Sequence, residues 1–418
     1  MPVRIAVCSL SQFTYVVKLI DAAARLNEEA EVRYFSGWRF EAAARALRDR
    51  GLAHEVLHGE APAAAMFAPA RAKTAHDVFA SCFFAQAERT LPALIPALRA
   101  FAPDIVAVHM RDYAGMVAAD VLGVPWVSFG SFASPIRDRA IDPPFGAGVR
   151  KDASAAARRL AWRLHDAFHA RLDPAFNARF RRPFGLAGVR GVSSWCSPHL
   201  VLSTLVPSLS NKLSSDPARM RYVGPLFSRA GHESDERTLA AIDNLPRPRL
   251  LLSLGTSYAE TLTERCIGAL RELDCGLVVS LGRPFGEKAA FADPPETPRR
   301  LVRPFFSDLG AVLERVDGVI SVGAGQTVME ALRYGRPLAC LPQQGEQRDI
   351  ALAVEGAGAG RAVFGKWDER KLRDAVREVG SEPRYPNAAA NLAQEIAAAG
   401  GPGAAARALV DVVAATQR

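Results

Sequence analysis

The stretch Gly318-Val-Ile-Ser321-Val-Gly323-Ala-Gly325-Gln-Thr-Val-Met-Glu330-Ala-Leu332, followed by Tyr334-Gly335-Arg336-Pro337, decides how the rest of the chain is read. A β-branched run ends at Ser321, the turn Gly323-Ala324-Gly325 lets backbone approach a ligand closely, and a helix then opens with its first N–H groups unpaired. Strand, glycine turn and helix in that order make an anion site out of backbone, because free amides and the helix dipole both favour phosphate. Gln326 and Thr327 add side-chain donors, and Glu330, one turn on, is placed to reach ribose hydroxyls. An ordinary tight turn between strand and helix is the plainer reading of the same residues. The dinucleotide fingerprint GxGxxG does not fit, since the third glycine is missing and the stretch lies late in the chain.

Working outward, the second half repeats one grammar. Strand-like runs at Leu250 to Leu254, Leu277 to Leu281, Gly318 to Ser321 and Leu338 to Leu341 are each followed by a helical pattern. The first half does the same at Val3 to Cys8, Glu31 to Phe35, Ile105 to His109 and Trp126 to Gly130, and again at His199 to Ser203 and Arg221 to Val223. Strands alternating with helices predict an α/β fold of two doubly wound, Rossmann-like domains facing across a cleft. Gly224-Pro225 and the polar run Ser228 to Arg237 mark the boundary, giving domains at 1–230 and 240–400. An Ala-rich amphipathic helix at 402–418 follows Gly400-Gly401. An Arg- and Ala-rich helical stretch at 131–190 interrupts the strand rhythm and reads as an insertion shaped for a partner or substrate.

Composition narrows the function classes. With 418 residues, 49% hydrophobic and 23% charged, the chain matches an average soluble globular protein of two to three domains, which excludes disordered, coiled-coil and collagen-like architectures. Its apolar stretches fall well short of the roughly 18 residues needed to span a bilayer. The N-terminus goes straight into a β-branched run without the pattern of a secretory signal, so a cytoplasmic location is expected. Six scattered cysteines with no CxxC pair read as buried reduced thiols. The net charge of +8 points to an anionic partner, and residues 150 to 190 hold ten Lys/Arg against three Asp/Glu. No nucleic-acid-binding module accompanies them, so nucleic acid is not an expected partner. A solvated basic face near an anionic substrate or lipid, with peripheral membrane contact, is the alternative.

Three further segments stand in a telling order around the glycine turn. Met220-Arg-Tyr-Val-Gly224-Pro225 precedes the linker, Leu250-Leu-Leu-Ser253-Leu-Gly255-Thr256-Ser257 opens the second domain, and Pro342-Gln-Gln-Gly-Glu346-Gln347 follows the next strand. Together they resemble the GT-B glycosyltransferases of family 1, the UDP-glycosyltransferases and their macrolide and natural-product members. The resemblance is strongest from Tyr222 to Arg361, with Arg181-Arg-Pro-Phe-Gly185-Leu186 similar to a further family stretch. It implies an inverting, metal-independent hexosyltransferase with a UDP- or TDP-sugar as co-substrate, no resident cofactor, and a small-molecule acceptor that is a natural product or lipid-like. It also implies that the last helix crosses back onto the first domain.

Carried over by motif, Ser253, Gly255 and Thr256 line the diphosphate end, together with Gly323, Ala324, Gly325, Gln326 and Thr327. Phe306 stands where an aromatic stacks on the base, with core packing as its alternative; Glu330 binds ribose, and Glu346 with Gln347 holds sugar hydroxyls. Two departures matter. The family's glycine turn begins with a His that touches the diphosphate, where this chain has Val322, a form closer to relatives that act on lipid-linked peptidoglycan precursor; Arg283 is a further candidate for phosphate. The first loop, Ser9-Leu10-Ser11-Gln12-Phe13, puts Gln12 where the family has its general-base His. An amide cannot take a proton at neutral pH, which leaves Gln12 to orient the acceptor or to bind a sugar oxygen. His109 and Asp112, at the end of Ile105-Val-Ala-Val-His109, are the replacement candidates.

Three explanations stay open at this point: a relocated base, an acceptor that is already nucleophilic, or lost catalysis in a nucleotide-sugar-binding protein with an auxiliary role. Phe13, Phe83 and Phe84 are expected to line the acceptor pocket. His165 and His169, four apart on a helix, form at most half a metal site, and no metal is expected.

Overall fold

Two all-parallel sheets carry the chain. In the computed structural model, the described residues are 2–10, 19–39, 41–59, 79–131, 135–140, 142–150, 152–210, 219–226, 235–255, 260–282, 293–306, 308–343, 345–365 and 368–416. Among them the first sheet has seven strands, β1 (Val3–Cys8), β2 (Ala30–Ser36), β3 (Ala53–Val56), β4 (Ile105–His109), β5 (Trp126–Gly130), β6 (Leu200–Ser203) and β7 (Met220–Tyr222). Their order is β3-β2-β1-β4-β5-β6-β7. The second sheet has six, β8 (Arg249–Ser253), β9 (Gly276–Ser280), β10 (Arg300–Arg303), β11 (Gly318–Ser321), β12 (Leu338–Cys340) and β13 (Gly360–Ala362), in the order β10-β9-β8-β11-β12-β13. The two doubly wound sheets expected from the strand and helix rhythm are present.

Parallel strands need helical crossovers, which cover both faces, so successive residues of a central strand enter different core layers. In β1, Ile5 and Val7 pack with Val32, Tyr34, Ile105 and Phe129. Ala6 and Cys8 pack on the other face with Phe35, Val106 and Val108. The second sheet repeats this with Leu251 and Val319 on one side and Leu250, Leu252 and Ile320 on the other. The five described cysteines, Cys8, Cys196, Cys266, Cys275 and Cys340, are buried free thiols.

The halves are stitched together twice away from the cleft. Leu205, Val206 and Leu209, just past β6, enter a core layer of the second sheet. The closing helix Gly401–Thr416 returns to the first sheet, placing Ala405, Ala408, Leu409 and Val413 against Ile5, Val7 and Leu19. The Gly401 N–H donates to the Val223 carbonyl at 2.8 Å, which fixes where that helix starts. No single described helix is long and apolar enough to cross a membrane.

Candidate active site

Each sheet reverses its winding between two central strands, β1 and β4 in the first and β8 and β11 in the second. At such a point the following loops diverge and leave a crevice at the carboxyl ends of the strands. The sequence candidates fall on these two crevices: His109 and Asp112 after β4, Ser253 and Gly255 after β8, and the glycine turn after β11.

The second-sheet crevice is made of small residues and backbone. Ser253 lies in register with Ser321 on one side and Ser280 on the other, a row of hydroxyl side chains at the strand ends. Gly323 has φ +77°, and a Cβ there would sit 2.8 Å from the Gln347 carbonyl oxygen. A Cβ on Gly325 would come within 2.8 Å of Ser131 and 3.2 Å of Ile350. Only glycine lets the turn pass so close to both neighbours. The helix Gly325–Arg333 then begins behind Ala324, an N-cap with no side-chain hydrogen bond, so no capping oxygen competes for the first amides. Gln326, Thr327 and Glu330 are half-buried along that helix. Glu346 opens the helix Gly345–Gly356, and buried Gln347 accepts the Gln343 N–H at 3.1 Å, pinning the turn that precedes it. Phe306 is 8% exposed and packed in a core layer of the second sheet, with half-buried Phe305 beside it. Gln12, Phe13, Thr256 and Arg283 lie outside the described residues.

The first-sheet crevice is made of large side chains. His109 is buried at the end of β4, its ring edge-on to Phe129 at 5.4 Å. The Arg111 backbone N–H donates to its Nδ1 at 3.2 Å, so the neutral ring carries its proton on Nε2. Asp112 is the N-cap of the helix Tyr113–Leu122, its Oδ1 accepting the Gly115 N–H at 3.1 Å. Burial pushes its carboxyl up to about 6, against the pull of the Gly115 and Ala114 amides. A carboxylate with that value is a far better proton acceptor near neutrality than an ordinary one. Phe84 is enclosed by Phe176, Phe180, Tyr113 and Trp195, and Phe83 meets Phe79 and Tyr113. Both therefore belong to the aromatic core behind the crevice. His169 pairs through Nδ1 with Asp173 at 2.9 Å, and among the described residues no three His, Cys, Asp or Glu side chains gather as a metal site.

Sequence reasoning missed three charged residues that bring the crevices together. Arg111 Nη2 reaches Glu346 Oε2 at 3.0 Å. Arg137 reaches Asp349 at 3.3 Å, and Asp349 also accepts the N–H groups of Gly146 and Gly148 at 2.8 and 3.0 Å. The loop after β5, within the stretch read as an insertion, is thus docked onto the helix that carries Glu346. Each pair spans more than two hundred residues of sequence, so no local pattern signals it; a charged residue inside a strand-to-helix junction is the one clue Arg111 offers.

No family model matches the chain. Over 312 residues it is 26% identical to a zeaxanthin glucosyltransferase of Pantoea ananas, covering 73% of this chain and 70% of that one. Its fold is similar to that of the glycotransferase of kitacinnamycin, with a TM-score of 0.74 and 21% identity over 99% of this chain and 100% of the other. The glycosyltransferase VinC, solved in complex with DTDP, is similar with a TM-score of 0.66 and 21% identity over 99% and 100%. The motif resemblance is borne out: the fold is that of GT-B natural-product glycosyltransferases, and the sequence relatives are family 1 glycosyltransferases.

Proposed function

From a chain with the GT-B fold and glycosyltransferase relatives, we propose an enzyme that transfers a sugar, with inversion, from a UDP- or TDP-sugar to a small apolar acceptor. The observation that carries this reading is the uncapped helix start at Gly325, packed closely against Ser131 just past the end of β5. The donor's diphosphate sits on the first amides of that helix with Thr327, Gln326, Ser253, Gly255 and Thr256 around it, where charge grows as the glycosidic bond to phosphate breaks. Glu330 takes the ribose, and Glu346 with Gln347 takes the sugar. Gln12 is left to orient the acceptor, and Asp112 is the group able to take a proton from an acceptor that carries one. No metal or resident cofactor enters the scheme.

The face of the helix Ala155–Phe176 adds a partner. Leu160 and Leu164 are 58% and 65% exposed among exposed Arg159, Arg163 and Arg171, which suits shallow contact with an anionic lipid surface that supplies an apolar acceptor. Sedimentation with phosphatidylglycerol vesicles, lost in a Leu160→Ser/Leu164→Ser variant, tests that contact.

The donor site is tested by a thermal-shift panel of UDP, TDP and GDP at millimolar concentration, since a ligand of the folded state raises Tm. One nucleotide is expected to shift the protein, and Glu330→Ala to abolish the shift. No shift with any nucleotide on folded protein sinks the reading. The alternative, a nucleotide-sugar-binding protein without turnover, rests on Gln12 and Val322 and is excluded by any transfer to an acceptor.

A further inference from the structure

Arg111 stands between the end of β4 and the N-cap Asp112, with its side chain one-fifth exposed. Its guanidinium lies 5.3 and 5.4 Å from the ring centroids of Phe79 and Phe83, with Tyr113 two residues further along the chain. Burial works against its charge, but Glu346 and Tyr113 more than offset that and hold its pKa above the ordinary value. A cation framed by aromatic rings is held in one orientation, and the planar fork of arginine matches a carboxylate bidentately. Its carboxylate partner is Glu346, which turns to sugar hydroxyls once a donor binds. This step rests on the functional reading given above. The guanidinium, framed by rings and still one-fifth exposed, is then open to another anion beside the bound sugar.

We infer that the anion is the acceptor: a carboxylic acid on an aromatic or apolar body, its carboxylate bound by Arg111 and converted to a glycosyl ester. One carboxylate oxygen attacks the anomeric carbon, the bond from that carbon to the diphosphate oxygen breaks, and the electron pair leaves with the nucleoside diphosphate. No proton moves. The chemistry therefore runs with an amide at position 12, since the acceptor arrives already ionised.

The test compares 2-naphthoate with its neutral isostere 2-naphthamide by calorimetric titration of the full chain, saturated with a non-transferable 2-fluoro sugar derivative of whichever nucleotide raises Tm, so that the sugar is present and Glu346 is engaged. The acid is expected to bind roughly tenfold to hundredfold more tightly, the range of a charge-assisted pair. Arg111→Gln is expected to reduce that preference to within about threefold, and Arg111→Lys to keep part of it, because lysine retains the charge without the fork. Equal affinities in the unmodified protein overturn the inference, as does a preference that survives Arg111→Gln. The nucleotide shift separates the two levels: its absence strikes the transferase reading, whereas a normal shift with no preference for the acid strikes the carboxylate acceptor alone.

Discussion

Among the described residues three ion pairs join the first half to the helix Gly345–Gly356: Arg150 with Glu355 at 3.1 Å, and two more whose helix residues stand three apart. Arg137 and Asp349 meet at 3.3 Å with side chains 1% and 4% exposed. Arg111 and Glu346 meet at 3.0 Å with side chains 20% and 37% exposed. The chemistry is the same and the water is not. In the dry pair, burial raises the Asp349 pKa despite the opposing pull of Arg137 and two glycine amides, so neither partner can be given up without leaving a stranded polar group. In the wet pair, solvent screens the attraction to at most about 1 kcal/mol, and a ligand can compete for either group. The dry pair is a buried tie between the two halves; the wet one is open to competition from solvent or a ligand.

The sharpest way to break this comparison is Asp349→Ala. Removing one member of a buried pair costs about 3–5 kcal/mol, so a fall of that size in chemical denaturation is expected, with a lower Tm. A loss under about 1 kcal/mol would put Asp349 in the same class as Glu346. The next largest effect is expected at Gly323→Ala, because the turn rests on the backbone of the same helix: the new Cβ meets the Gln347 carbonyl oxygen at 2.8 Å with φ at +77°. Strain of about 1–3 kcal/mol and loss of the nucleotide-induced Tm shift are expected together. A variant that keeps the full shift would mean that the amides after Gly323 do not hold the donor.

A change of opposite sign is expected at Asp112→Asn. The folded carboxyl titrates near 6 against an ordinary 3.8, so its stabilising contribution is complete below about pH 4 and is lost as pH rises through 6. Asparagine keeps the N-cap and cannot ionise. The variant should therefore be more stable than the parent by about 1–3 kcal/mol above pH 6 and equal to it near pH 4, while transfer to any hydroxyl acceptor falls by about 10²–10⁴. Denaturation curves at pH 4.5 and 7.5 check the first part, and a parallel pH trend in both proteins would contradict it.

How much of this was legible before the structure depends on where a residue sits in its sheet. Central strands such as β1, β4, β8 and β11 are buried on both faces and read as apolar runs, so their positions came within a residue of the observed ones. The strands that escaped notice are all edges: Ala53–Val56, Arg300–Arg303 and Gly360–Ala362 are short, partly exposed and interrupted by His, Glu or Arg. The glycine turn was legible because its backbone needs glycine, at φ +77° for Gly323 and in close approach to Ser131 for Gly325. Arg111, Arg137 and Asp349 were not, because a contact between the β4 loop and a helix two hundred residues later exists only once both sheets have formed. The aromatic run at Phe83 and Phe84 was read as pocket lining and is core, since apolar periodicity does not distinguish a wall from what stands behind it.

The smallest stability effect and a large functional one should coincide at Glu346→Gln. Loss of a partly solvated pair is expected to change stability by under about 1 kcal/mol, and the glutamine amide keeps one acceptor oxygen but no longer accepts two hydroxyls as a carboxylate does. The nucleotide alone, which the proposed function puts at the Gly325 helix, should still raise Tm. The nucleotide sugar should lose whatever additional shift its sugar contributes. Comparing the shift with UDP or TDP against that with the matching sugar nucleotide, in parent and variant, isolates this one contact. Were the two shifts to fall together, Glu346 would be holding the glycine turn rather than the sugar, and the wet pair would be a second structural lock after all.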